Sequence, residues 1–239
     1  MARLTGRIVP VASLSCSQKA RMFELFASHF HNADKKNFDG DLAEKPWVIL
    51  LESRDSGEIR GFSTLSLMNR SIDGIPVKVV FSGDTIIHRD YWGGLELPRV
   101  WLDFVYSHTR EDREARWYWY LISKGYKTYR FLPVYFYHFY PRYDRGIPAF
   151  EQKLLDAFAE FKFPGQYDPE TGVIKTCRDY LKPGVAEVTS RRLKDPHIKY
   201  FVEKNPGYYL GDELACIAEL SETNLKPFGH RLLKGCWRI

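Results

Sequence analysis

Residues 76–94 read PVKVVFSGDTIIHRDYWGG, and this stretch decides the fold. Val77, Val79 and Phe81 alternate onto one face, the pattern of a half-buried strand. The strand carries one carboxylate, Asp84, inside an otherwise apolar run, and it ends near His88. Gly93-Gly94 then breaks the chain. Leu97, Val100, Trp101, Phe104, Val105 and His108 follow on one side of a helix, with Pro98 in the first turn. A strand running into a glycine turn that opens a helix presents unpaired amides to an anion.

Upstream, Asp73-Gly74 predicts a tight hairpin joining this strand to one over residues 59–72. A short buried strand is predicted at residues 47–51 and another at 7–11. Between them Ser15 and Gln18 form a capping box, and Phe23, Phe26, Ala27 and Phe30 make one apolar stripe of a helix. Residues 32–45 are polar, contain Asp39-Gly40, and read as a loop. Downstream, residues 117–122 are an unbroken apolar run of strand length, covered on both faces. Residues 126–140 read as an aromatic helix bent near Pro133. A helix over 148–161, turns over 164–184, a short helix opened by Asp195-Pro196 and stopped by Asn205-Pro206-Gly207, and a last strand from Glu213 complete the chain. The class is α/β with a mixed sheet. Residues 1–145 form the core and 146–239 an extension packed on it.

Composition excludes several functions. Lys and Arg exceed Asp and Glu by five, a mild basic excess that suits a phosphate-bearing or acidic partner. The aromatics sit in apolar runs rather than among basic residues, which argues against nucleic acid. Cys16, Cys177, Cys216 and Cys236 are far apart, with neither a zinc spacing nor a disulfide framework, so no metal is expected. No apolar run near the start is long enough to span a bilayer, and a cytoplasmic protein is expected.

The order strand, helix, three strands, glycine break, helix, buried strand, helix resembles the GNAT superfamily of N-acyltransferases over roughly the first 140 residues. The phrases FSGDTIIH at 81–88, YWG at 91–93 and LISKGYKTY at 121–129 resemble a bacterial GNAT-like group that includes fatty-acylating maturases of ribosomal peptides. Asp195-Pro196-His197 and Asn205-Pro206-Gly207 resemble the same group. The resemblance implies acyl transfer from a pantetheine thioester to an amine, such as a lysine- or ornithine-like side chain. It also implies that the fourth and fifth strands, 81–87 and 117–122, splay around the pantetheine arm. One departure stands out. The signature Gln/Arg-x-x-Gly-x-Gly/Ala is not matched: Trp92, Leu95 and Leu97 occupy its positions in one alignment, and only Gly94 fits in the other. A turn poor in glycine tilts the donor from acyl-coenzyme A toward an acyl carrier protein.

Aminolysis of a thioester needs a neutral amine, a donor for the oxyanion and a proton for the thiolate. Asp84 is the candidate base and His88 a second titratable group at the strand end. Backbone of Thr85, Ile86 and Ile87 would meet the oxyanion and the pantetheine, with Gly93, Gly94 and Ser123 beside the donor. Under the resemblance, Tyr126 or Tyr129 protonates the leaving thiolate. A non-catalytic GNAT-like module that binds a lipid or a carrier protein is the competing reading.

Overall fold

The computed structural model describes residues 4–176 and 178–236, without the side chains of 234–236. In chain order the main elements are β1 (Leu4–Pro10), α1 (Cys16–His29), β2 (Phe30–His31), α2 (Lys35–Ala43), β3 (Trp47–Ser53), β4 (Ile59–Ile72) and β5 (Ile75–Ile87). There follow α3 (Glu96–Glu111), β6 (Arg116–Ser123), α4 (Tyr126–Tyr129), α5 (Phe131–Tyr135), α6 (Ala149–Lys162), β7 (Tyr167–Asp168), β8 (Val173–Ile174), β9 (Tyr180–Leu181), α7 (Pro196–Lys204), β10 (Glu213–Glu219) and α8 (Pro227–Cys236). The Ser15/Gln18 capping box forms as read from the sequence.

Several elements differ from the sequence reading: the short strands β7, β8 and β9 stand among the turns of 164–184, and helix α8 follows β10. Residues 35–43 are a helix, not a loop. The Asp34 side chain caps it by accepting from the Asn37 amide, and Phe38 and Leu42, four apart, bury against α1. That burial offsets the ~1 kcal/mol cost of Gly40 in a helix interior. The aromatic segment 126–140 is two short helices that stop at Tyr135, because Asn224 takes over its backbone. The Asn224 amide group donates to His138 O and its side-chain oxygen accepts from the His138 amide.

The main sheet has the order β1-β3-β4-β5-β6-β10-β8-β7, mixed as expected of the α/β class. Its neighbours are antiparallel except β5 and β6, which run parallel and are joined over the sheet by α3. The segment after 146 contributes β7, β8 and β10 to this same sheet. Trp101 and Val105 of α3 pack on one face against Val80, Trp119 and Leu121. The opposite face carries α1 at one end, against Leu50 and Phe62, and α6 at the other, against Val79 and Tyr120. A gap between α1 and α6 lies over the β5/β6 junction.

That junction is where the sheet opens. β5 and β6 pair in register from Val77↔Arg116 to Ser82↔Leu121 and then part. Against β4, Thr85 pairs with Ser63 but Ser82 pairs with Leu65, so β5 carries one extra residue at Gly83-Asp84. This bulge bends β5 away from β6 and reverses its side-chain alternation. Phe81 and Ile86, five apart, therefore both face away from α3. A Cβ on Gly83 would lie 2.5 Å from Thr64 Oγ1 and 3.2 Å from Lys45 Cε. Gly83→Ala is expected to cost ~1–3 kcal/mol of stability, and thermal unfolding checks it; an unchanged melting temperature would mean the bulge relaxes freely.

Candidate active site

The parted strands open into a cavity of ≈1010 Å³. Gly83 to Ile87 line it from β5, and Ile122, Lys124 and Gly125 line it from the end of β6. The His88 amide donates to Arg60 O at 2.7 Å, toward β4. Alternation then turns the amides of Thr85 and Ile87 the other way, into the cleft. The Ile87 carbonyl confirms this direction: Trp92 Nε1 donates to it at 2.8 Å, and His29 Nε2 lies 3.1 Å from it.

Cations collect near the α3 end of the cavity. Trp92, Gly93 and Gly94 line the wall there, with Gly93 at φ +86° closing the turn. Leu95 caps α3 without a side-chain hydrogen bond, which leaves first-turn amides for an anion. Lys127 Nζ stands 3.4 Å above the Trp92 ring, Arg89 is 5.8 Å from the same ring, and Arg192 is 6.0 Å from that of Tyr126. Among the described residues none of the three has a carboxylate partner; Arg89 donates to Pro183 O at 3.2 Å. Burial and the charges of Arg192 and Arg89 push the Lys127 ammonium below its ordinary value. Like charges held together without acids make a site for an anion.

The other side is acidic. Lys124 pairs with Asp179 at 2.6 Å and with Glu213 at 3.5 Å. Burial alone would lower Lys124, but Glu213 and Asp179 outweigh it and hold it above its ordinary value. Burial pushes Asp84 up to about 6, against the opposing charge of Lys124. It pushes Glu213 up to about 7. Asp84 has no hydrogen-bond or ion-pair partner among the described residues, so its carboxyl is free to take a proton from a ligand. The chain just after α2 adds Lys45, 7% exposed, beside Gly83.

The candidates from the sequence divide. Asp84, Thr85, Ile86, Ile87, Gly93, Gly94 and Tyr126 line the cavity together. Within that set the Ile86 side chain is buried in the cluster that holds Phe62. Three others are engaged elsewhere. Tyr129 is fully buried and donates to Pro141 O at 2.9 Å, among the rings of Phe139 and Phe201. Ser123 is fully buried and donates to Gly125 O at 3.0 Å, fixing the turn after β6. His88 faces Asp90 in a surface turn, 3.5 Å from its carboxylate, and is not on the cavity wall. Sequence reasoning missed Lys124, Asp179, Glu213, Lys45, Lys127 and Arg192. Arg192 had a signal, the basic cluster Arg191-Arg192-Lys194, which reads equally as a solvated loop. Lys124 and Glu213 look like ordinary strand boundaries until pairing puts Leu214 opposite Ser123.

Of the cysteines, Cys16 is exposed and Cys216 buried, both free; Cys177 and the Cys236 side chain lie outside the described residues. Among the described residues no group of three or more His, Cys, Asp or Glu could hold a metal. No helix there is long and apolar enough to cross a membrane.

No family model and no curated protein matches the chain. Among solved structures it is similar to a GNAT family N-acetyltransferase, YhbS, from Escherichia coli in complex with CoA, at 12% identity and TM-score 0.39, covering 55% of this chain and 68% of that one. It is similar to an acetyltransferase of Trypanosoma brucei at 14% identity and TM-score 0.41, covering 61% and 98%. A probable N-acyltransferase of unknown function from Enterococcus faecalis aligns at 15% identity and TM-score 0.41, covering 65% of this chain and 43% of its own.

Proposed function

We propose that this protein is a GNAT-type N-acyltransferase that moves an acyl group from a pantetheine thioester to an amine. One observation carries the reading. The bulged, parted strand β5 presents free backbone amides between a cluster of unpaired cations and an unpaired carboxylate.

The pantetheine arm lies in the cleft, and its phosphate meets Lys127, Arg192 and Arg89 near the start of α3. Coenzyme A and an acyl carrier protein both supply that phosphate. The acceptor amine enters from the acidic side and gives its proton to Asp84. Its nitrogen attacks the thioester carbon, and the oxyanion accepts from the amide of Thr85 or Ile87. The attacking nitrogen gives up its second proton to water as the C–S bond breaks, and the thiolate takes a proton from the Tyr126 hydroxyl, which is restored from solvent. Thioester and amine become amide and thiol, with the proton on Asp84 returned to water. The cavity is at the upper end of the ~300–1,000 Å³ range of small-molecule sites. That size favours a fatty acyl chain beside the arm, and a side-chain amine of lysine or ornithine type is one acceptor it accommodates.

The test is thiol release from acyl-coenzyme A and acyl-carrier donors of graded chain length over a panel of amines, with products identified by mass. Donor binding without turnover on any acceptor would favour the non-catalytic module instead. The pH dependence is a second check. Asp84 must be ionised to accept the proton, so kcat/KM is expected to rise as pH passes through about 6. A profile flat across that range would remove Asp84 from the role of base.

A further inference from the structure

Around the acceptor side the charged groups pair off with two exceptions. Lys162 pairs with Glu44, Arg178 with Asp41 at 3.5 Å, and Lys124 with Asp179 at 2.6 Å. The exceptions are Asp84 and Lys45. Lys45 is 7% exposed, yet its Nζ makes one hydrogen bond, donating to Asp41 O at 3.1 Å. The Phe81 ring lies 5.6 Å from it. Among the described residues no carboxylate is within ion-pair reach of this ammonium. An unpaired buried ammonium is costly unless something satisfies its remaining donors.

The position of Lys45 is enforced. Phe38 and Leu42 fix α2 on α1, and Pro46 O accepts from the Val11 amide at 3.0 Å, pinning the chain after Lys45. The Lys45 side chain then runs against the bulge, where Cε lies 3.2 Å from the place of a Cβ on Gly83. Gly83 is the residue before Asp84, so one unpaired cation and one unpaired anion flank a single glycine on the cavity wall without pairing with each other.

We propose that the acceptor is a free amino acid, its carboxylate held by Lys45 and its amine presented to Asp84. A zwitterion satisfies both groups at once. A simple alkylamine, or the side chain of a residue inside a peptide, leaves Lys45 unpaired. The identification of the product as an N-acyl amino acid rests on the acyl-transfer reading above; the binding site itself does not.

The experiment is calorimetric titration of the full chain with each of the common amino acids and with the matching carboxamides, with and without coenzyme A. At least one amino acid is expected to bind, and its carboxamide to bind ~10- to 100-fold more weakly, the loss of one charge-assisted contact. Lys45→Met is expected to erase that difference and Lys45→Arg to keep most of it. Should Lys45→Met fail to fold, the comparison on the wild-type protein decides alone. Equal binding of amino acid and carboxamide, or no binding of any amino acid, overturns the inference. Acylation of alkylamines as fast as of amino acids overturns it too, while leaving acyl transfer intact. Amino-acid binding with no acyl transfer from any donor keeps the site and removes the acyltransferase.

Discussion

Asp84→Asn is expected to slow acyl transfer by ~10²- to 10⁴-fold, the usual contribution of a positioned general base. The same substitution is expected to make the protein more stable. Burial holds the Asp84 carboxyl up to about 6, so its ionised form is disfavoured in the fold. The folded chain keeps this proton in a range where the unfolded chain, with a carboxyl near 4, has released it. Stability from this group is therefore full below about 4 and falls as pH rises toward about 6. Asparagine removes the ionisation while filling the same space, so the variant should gain ~1–3 kcal/mol at neutral pH and nothing at pH ~4. Activity and melting temperature measured on one preparation test this together. A variant that loses activity and stability alike would make Asp84 structural, its carboxylate needed for folding rather than for a proton.

The second large effect is expected at the cation cluster. Lys127→Ala and Arg192→Ala are each predicted to raise the donor KM by ~10-fold or more, at ~1.5–3 kcal/mol for a hydrogen bond to a charged group. Both groups would meet a phosphate that is present in ground and transition states alike, so kcat should change little. The double variant should fall short of additivity, because each removal relieves repulsion on the other. Raising the salt concentration should weaken the wild type more than the double variant. If pantetheine lacking its phosphate serves as well as the phosphorylated arm, and the variants treat both alike, the cluster does not hold the donor. Removing the cluster should leave amino-acid binding untouched, because Lys45 stands against Gly83 and Phe81 rather than against Trp92 or Tyr126.

Much of the framework was legible because local rules suffice for it. Alternation at Val77, Val79 and Phe81, the Asp73-Gly74 turn, the Ser15/Gln18 cap and the apolar run at 117–122 each require an element within one window of sequence. Asp84 was legible for the same kind of reason: a carboxylate in an apolar strand is costly whatever surrounds it. α2 was not, since Asp39-Gly40 suggests a turn and only Phe38 and Leu42 docking on α1 override it. Tyr129 and Ser123 fit a site by their place in the chain, but both side chains turn inward and satisfy backbone carbonyls.

The sequence by itself determined the run from β3 through β6 with α3 between β5 and β6, the glycine break before α3 and one carboxylate that the core could not absorb. Only the tertiary structure decided that β5 and β6 part after Ser82 and Leu121, because one extra residue in β5 shows only against its partner β4. Only it brought Lys124, Asp179 and Glu213 around that carboxylate, and Lys127 and Arg192 to the rings of Trp92 and Tyr126. Those residues come from segments up to about a hundred positions apart, on loops and strand ends where local pattern carries no direction. Pairing register and helix docking give them one, and with it the site its two opposite charges.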